Sequence, residues 1–591
     1  MSRTSFYTTI LLVMILLAPL SASAYDFVVN NIYYNITGDN TVSVTYRDTN
    51  FDHYSGTVTV PTAVTNGGVT YRVTGIGDHA FRACPNLVAV NLPNSVIGIG
   101  YASFYKCPAL AHFNIPNSVT SIESFAFREC TSLTEITIPG SIPYMGGQVF
   151  QGCTALRQVT LNEGLEALSA GTFYQCSALE SIVIPSTTTA IYTYCFADCT
   201  SLTDITIPSA TITIDSEAFI NTPWLDNQPD GLIYAGKVAY KYKGTVPVGS
   251  TITLRSGTVA ISNRLFVDQD GLVGILIPSS VFHVEAPCVV NCQNLTTIKV
   301  ATTNPTLDSR NNCNAIIETA TNKVIAGCNN TKIPSSVTAI GTYAFAYCYE
   351  LANAQLHEGI KTIEECAFGY CSALTSISIP ASVTSIENYA FTGCDHATSM
   401  TVASGNTTYD SREGCNAIIE TATNTLIAGC TKSVIPNSIT TISDGAFYWQ
   451  VGMSTITIPA SVTSIGSYAF YNMYNLETIV CEATTPPSIL GTAFDSYARN
   501  YAILYVPRAS IEAYRNTEVW NWFPRIRAIE SLVNGDVDGD EKVGISDVTA
   551  LVDYILTNES IGLNLYNADC DKSKSVNIAD VSELVDMLLG N

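Results

Sequence analysis

Apolar residues recur along most of this chain at a fixed interval, unlike the drifting pattern of an ordinary globular fold. Phe81, Phe104, Phe127, Phe150, Phe173 and Phe196 stand 23 residues apart. Cys84, Cys107, Cys130, Cys153, Cys176 and Cys199 follow each Phe by three, and Leu87, Leu110, Leu133, Leu156, Leu179 and Leu202 follow each Cys by three. Side chains that recur in this way mark consecutive structural units stacked in register. Each unit also holds an ITIP-type run in which apolar and polar positions alternate, the period of a strand. Pro93, Pro116, Pro139, Pro185 and Pro208 end these runs, because proline has no N–H to give to a ladder. The tighter Ala-Phe-x-x-Cys-x-x-Leu spacing predicts a short helical turn on the opposite side, with Phe, Cys and Leu pointing inward. The predicted fold class is a repeat solenoid of 23-residue coils carrying short parallel β-strands.

The interval also divides the chain. Alternating segments over 25–72 predict an N-terminal β cap, needed because an open solenoid end exposes core and unpaired backbone. A first array covers 73–221, and a hairpin-like insert rich in aromatic and basic residues covers 222–257. A second array follows over 258–482. It contains two hairpin inserts, CNAIIETATNKVIAGC and CNAIIETATNTLIAGC, and Phe447 and Phe470 restore the 23-residue interval after them. Pro, Tyr and Trp over 483–530 predict a C-terminal cap, and 531–591 read as a separate module.

Residues 1–24 carry Arg3, the apolar run Ile10 to Leu17 and Ala22-Ser23-Ala24, the layout of a cleaved export signal. The expected location is secreted or cell-surface, with no membrane span in the mature chain. In an oxidising compartment nineteen cysteines could pair. Equivalent residues on adjacent coils point the same way about one strand spacing apart, which suits packing better than disulfide geometry. Cys313 with Cys328, and Cys415 with Cys430, would face each other if ETATN turns a hairpin; a disulfide and a pair of buried thiols are both open there. Only 13% of residues are charged and the net charge is −23, so nucleic acid and anionic membranes are not expected partners.

The recurring VTSIG-x-x-AF-x-x-C-x-x-L-x-x-I-x-IP-x-S pattern, from Val73 to Val480, resembles the BspA-type leucine-rich repeats of bacterial surface proteins, as do both hairpin inserts and the YDFVVNNIYYNI segment. The resemblance implies a leucine-rich repeat solenoid with β-rich caps, and an association with adhesion to host proteins or other cells. It assigns no ligand contact.

The last 60 residues carry chemistry. Asp536, Asp538, Asp540 and Asp547 place oxygen donors at positions 1, 3, 5 and 12 of a twelve-residue loop, and Asp569, Asp571, Ser573 and Asp580 repeat them 33 residues on. Calcium is a hard cation that takes six to eight oxygens, with position 7 giving a backbone carbonyl. Each loop runs into a helix whose apolar residues share one face: Val548, Leu551, Val552 and Ile555, then Val581, Leu584, Val585 and Leu588. Two such loop–helix units resemble a type I dockerin, a small all-α calcium-binding domain that docks on a cohesin. The resemblance implies calcium at two sites. Asp536, Asp538, Asp540, Lys542 (by its carbonyl) and Asp547 form the first. Asp569, Asp571, Ser573, Ser575 (by its carbonyl), Asn577 and Asp580 form the second. Gly544 leaves position 9 of the first loop to water, and Ser573 is a weaker ligand than Asp, so unequal affinities are expected. Positions 10 and 11, which in dockerins contribute to partner choice, are Ile545-Ser546 and Ile578-Ala579.

The six histidines are scattered, without metal-ligand spacing, and no P-loop, G-x-S-x-G or H-E-x-x-H occurs. The expectation is therefore a binder, not an enzyme. The repeats would present a surface to a host protein, cell-surface protein or glycan, and the tail would attach to a cohesin-like protein. The alternative is a passive structural component of an extracellular polysaccharide-degrading assembly.

Overall fold

The computed structural model describes residues 24–529, 533–539, 542–557, 563, 565–571, 573 and 575–590. The export signal at 1–24 lies outside them except for Ala24. The chain divides into two compact units, Met1–Gly244 with Thr258–Leu265, and Thr245–Gly257 with Phe266–Asn591.

In the first unit, Phe27–Val29, Ile32–Gly38 and Thr41–Thr45 form an antiparallel meander. Thr41–Thr45 then runs parallel to Val69–Ile76, with Val42 opposite Val73, so the terminal sheet passes straight into the coil sheet. Each coil contributes up to two strands. One series includes Glu135–Ile138 beside Gln158–Leu161, with Ile136 opposite Val159. The other is shorter: Ala167–Leu168, Ala190–Ile191 and Thr213–Ile214 pair in that order, all parallel. Between the two series the Phe rings stack. From Phe81 to Phe219 successive centroids lie 5.0 to 5.7 Å apart and interplanar angles stay within 14°. These rings are fully buried, and each contributes on the order of 1.5–3 kcal/mol.

The Ala-Phe-x-x-Cys segment is not the helical turn that its spacing predicts. It is a run of tight turns in which the residues two before and two after the Phe are left-handed, as at Phe125 (φ 62°) and Glu129 (φ 61°) around Phe127. Alternate N–H groups then serve two purposes. Arg128 N closes a turn on Phe125 O at 3.1 Å, while Phe125 N, Phe127 N and Glu129 N reach Gly147 O, Val149 O and Gln151 O of the next coil at 3.0, 2.9 and 2.7 Å. A helix would spend those donors inside its own coil. Left-handed backbone costs about 1–3 kcal/mol per non-glycine residue, and the inter-coil bonds offset it.

The hairpins are likewise part of the coils instead of insertions between them. In the first unit Gly231–Ala235 returns through Val238–Lys243, which pairs in parallel with Ala260–Ile261. In the second, Ile316–Glu318 returns through Lys323–Ala326 onto Ala339–Ile340, and Ala417–Glu420 through Thr425–Gly429 onto Thr441–Ile442. Each returning strand occupies a place in the coil ladder, so the register continues where the 23-residue interval stops. Gly327 and Gly429 are required by packing: a Cβ at either would meet the ring of Phe345 or Phe447 at 2.1 Å. All nineteen cysteines are free, Cys313, Cys328, Cys415 and Cys430 among them as buried thiols.

The coil sheet of the second unit runs on through Thr455–Ile458, Thr478–Cys481, Ile503–Val506 and Ile526–Ala528. Tyr514, Trp520 and Phe523 close its end, with Trp520 Nε1 donating to Pro487 O at 2.9 Å. Beyond it stand the helices Ile545–Thr557, Leu565–Ala568 and Ile578–Leu589. No helix among the described residues is long and apolar enough to cross a membrane.

Candidate functional site

The two acidic loops fold alike. In the first, carboxylate oxygens of Asp536, Asp538 and Asp547 lie within 4.8 Å of one another, and in the second those of Asp569, Asp571 and Asp580 do the same. The residue at position 12 organises each cluster. Asp547 is fully buried; its Oδ1 accepts from Val537 N (2.6 Å) and Asp538 N (3.0 Å), and its Oδ2 from Gly544 N (2.7 Å). Asp580, equally buried, accepts from Asp571 N (3.2 Å) on Oδ1 and Asn577 N (2.8 Å) on Oδ2. In both loops, then, the position-3 and position-9 amides clamp the same carboxylate, and that carboxylate sits in the first turn of the following helix. Hydrogen bonds from the Ser573 side chain and backbone hold the Asp571 carboxyl below the usual carboxylate range.

A packed base supports the loops. Val537 and Cys570, each at position 2, are buried with Leu551 and Leu584 of the two long helices and with Ala568. Val548, Ile555 and Val581 pack against that base, and Val552 is half-buried, whereas Val585 and Leu588 are 36% and 37% exposed. Sequence reasoning missed a pair of asparagines that joins the copies. Asn534 Nδ2 donates to Cys570 O at 3.0 Å, and Asn567 Nδ2 to Asp536 O at 2.8 Å. Each lies two residues before its own loop and holds the other loop. The signal was present, since NGDVDGD and NADCDKS share that Asn.

Other predicted ligands fall differently. Asp540 lies outside the described residues. Asn577 is the helix N-cap: its Oδ1 accepts from Ala579 N at 2.9 Å and its Nδ2 donates to Ser575 O at 2.9 Å. Ser573 Oγ also donates to Ser575 O, at 3.2 Å, and Lys542 is exposed at the edge of the first loop. Ile545, Ser546, Ile578 and Ala579 are all exposed, the two isoleucines by 81% and 68%. An oxygen-only set of three converging carboxylates fits a hard divalent cation, whose charge would relieve their mutual repulsion.

Comparison with known proteins settles the repeats. Six copies of the BspA type leucine rich repeat region match over 62–162, 120–231, 238–325, 322–426 and 426–504. The chain belongs to that family. Among solved structures it is similar to a leucine-rich repeat protein from Bacteroides ovatus, at 22% identity over 79% of this chain and 100% of that one, with a TM-score of 0.32. It is similar to a leucine rich cell surface protein from Faecalibacterium prausnitzii at 19% identity, over 85% of this chain and 94% of that one, TM-score 0.24. It also resembles the pneumococcal vaccine antigen PcpA at 14% identity, over 86% of this chain and 99% of that one, TM-score 0.22. No curated protein matches the chain.

In this BspA-type region the buried cysteines are chemically quiet. Burial pushes the thiols of Cys153, Cys199 and Cys394 up to about 12, far from the thiolate character a nucleophile needs. What the repeats offer instead is outward-facing side chains in register. Thr425, Thr441, Ser464 and Ser488 lie opposite one another across four adjacent short strands and line an open depression of about 500 Å³.

Proposed function

We propose that this chain is a non-catalytic, adhesin-like binding protein of the cell surface or surroundings. Its BspA-type repeats present a protein- or glycan-binding surface, and its C-terminal module attaches it to a cohesin-like partner in a calcium-dependent manner. Asp536, Asp538 and Asp547 would hold one calcium ion, and Asp569, Asp571 and Asp580 the other. Bound calcium would supply the positive charge that lets the acidic loops close on their helices.

The observation that carries the attachment reading is the repetition, in two loops 33 residues apart, of one carboxylate cluster with the same backbone clamp on position 12. An acidic surface tail has no reason to reproduce buried carboxylates and amide clamps twice. The exposed pair Ile545 and Ile578, at position 10 of each loop, gives a partner an apolar contact.

Calorimetric titration of the full chain with calcium should show two sites of unequal affinity, and Asp547→Asn and Asp580→Asn should each weaken one. Capture of extracellular partners with calcium and with chelator then separates the roles. Partners lost on chelation belong to the tail, and those retained belong to the repeats. If nothing is retained on chelation, the repeats are a passive spacer and the adhesin reading fails.

A further inference from the structure

A connected strip of aromatic rings follows the turn side of the second unit's coils. Tyr347 and Tyr370 stack at 5.0 Å with planes 6° apart. Edge contacts lead on from Tyr370 to Trp449 (5.8 Å), from Trp449 to Tyr474 (5.8 Å) and from Tyr474 to Tyr497 (6.0 Å), and Tyr501 ends the strip 4.6 Å from Tyr497. The solenoid does not need these rings. Tyr347, Tyr370 and Trp449 stand two residues after a ladder Phe, and in the first unit that place holds Ala83, Lys106, Glu129, Gly152, Gln175 and Asp198. The far end is open to solvent: Tyr474, Tyr497 and Tyr501 are 42%, 39% and 60% exposed.

Two glycines lay rings flat along the coils. Gly393 and Gly445 are left-handed (φ 67° and 64°), and a Cβ there would meet the rings of Tyr370 and Tyr389 at 2.6 and 2.2 Å. The rings therefore lie over bare backbone, where a side chain would otherwise stand. Little free charge faces the rings: Asp495, beside Tyr474, is buried with its carboxylate accepting from Asn472 N and Ala498 N, and Arg525 is held on the Asn500 and Tyr501 carbonyls. Arg499, beside the exposed end, is drawn over Trp522 at 4.7 Å.

We propose that this strip binds a neutral polysaccharide, with sugar rings stacked on Trp449, Tyr474 and Tyr497. The inference rests on the repeats being a binding surface and names the place and the ligand class. A pyranose face carries weakly positive C–H groups that suit the negative face of an aromatic ring. Tyrosine hydroxyls then exchange hydrogen bonds with sugar hydroxyls. Successive rings follow one another along the coils, which matches a linear polymer better than a compact ligand. The net charge of −23 on the whole chain selects against a polyanion.

Affinity electrophoresis of the full chain through gels containing mixed-linkage β-glucan, xylan or polygalacturonate tests this. The expected result is retardation by a neutral polymer and none by polygalacturonate. Replacing Tyr474 and Tyr497 together by Ala should weaken retention at least about tenfold, while replacing both by Phe should keep it within about threefold, since stacking and not the hydroxyl carries most of the contact. Tyr192→Ala in the first unit is the control and should change nothing. Retention that survives the double Ala change overturns the strip but leaves the repeats as a binding surface. A wild-type chain that no neutral glycan retards overturns it too, as does one that instead binds a proline-rich peptide through these tyrosines. Partner capture by the repeats under chelation, run alongside, shows whether the wider reading has failed as well.

Discussion

Cys153 Sγ lies 3.2 Å from the carbonyl oxygen of Phe127 and donates to it across the gap between two coils. The same oxygen accepts Cys130 N–H, also at 3.2 Å, so both lone pairs of a buried carbonyl are used. The relation repeats along the ladder: Cys107 to Phe81, Cys130 to Phe104, Cys176 to Phe150, Cys199 to Phe173, and in the second unit Cys371 to Phe345 and Cys394 to Phe368. Cysteine is apolar enough for a dry core and still has a proton to give. That pairing explains why the position holds Cys in coil after coil.

A donor role can be separated from a packing role at Cys153. Cys153→Ala removes both the sulfur and the proton and should cost about 1–3 kcal/mol in urea unfolding. Cys153→Ser keeps a donor in nearly the same place and should cost less. If serine proves no better than alanine, the S–H bond contributes nothing and the ladder is packing alone.

The same thiols make alkaline stability predictable. Burial pushes Cys153, Cys199 and Cys394 from 9.0 up to about 12, so between those values the unfolded chain loses protons that the folded chain keeps. Stability is then fully present below about pH 9 and falls as pH rises toward 12. Unfolding midpoints should be flat from pH 6 to pH 8.5 and drop above it. Thiolate absorbance should appear together with unfolding; a gradual rise in a folded protein would contradict buried thiols.

Two glycines, Gly429 in the returning strand of the second hairpin and Gly414 in the turn before that hairpin, separate the cost of space from the cost of backbone. Gly429 has an ordinary φ, but a Cβ there would meet Phe447 at 2.1 Å, whereas Gly414 has φ 65° and open space around it. Gly429→Ala should therefore cost about 1–3 kcal/mol by overpacking and displace the Phe447 stack. Gly414→Ala should cost about 1 kcal/mol through backbone strain alone. Chemical denaturation of both variants checks the order, and a milder effect at Gly429 would refute the steric account.

Much of this was legible because the physics is local and repeated. Phe, Cys and Leu at one interval imply stacking in register, and the Phe81 to Phe219 stack is that interval in space. The turn side was misread because i, i+3 spacing is shared by a helix and by consecutive tight turns; only the destination of the N–H groups of Phe125, Phe127 and Glu129 distinguishes them. The hairpins looked like insertions because their returning strands take the short-strand place in the ladder, as Val324 does opposite Ile340 and Leu426 opposite Ile442, without the Phe-x-x-Cys residues that mark a coil in the sequence. Asn534 and Asn567 escaped notice because each serves the other loop, a relation between copies that spacing within one copy does not reveal.

That mutual hold sets the last prediction, that the two acidic loops fold together. Asn567→Ala leaves every proposed second-loop ligand in place but removes the donor to Asp536 O, a bond made at 2.8 Å in a buried position. Its main effect should therefore fall on the first loop, lowering calcium affinity there about 10- to 100-fold, as loss of a residue supporting metal ligands does. Asp547→Asn should weaken that site more directly, because an amide has one acceptor oxygen where Val537, Asp538 and Gly544 need two. Hydrogen exchange of the full chain reads both effects within the helices Ile545–Thr557 and Ile578–Leu589, free of signal from the β-rich repeats. Adding calcium should slow exchange in both helices, and chelator should reverse it, since metal binding and folding are coupled. In Asn567→Ala the first helix should need more calcium to reach the same protection. Exchange that ignores calcium in the wild-type chain would refute the metal sites, and protection of the second helix alone would refute the coupling.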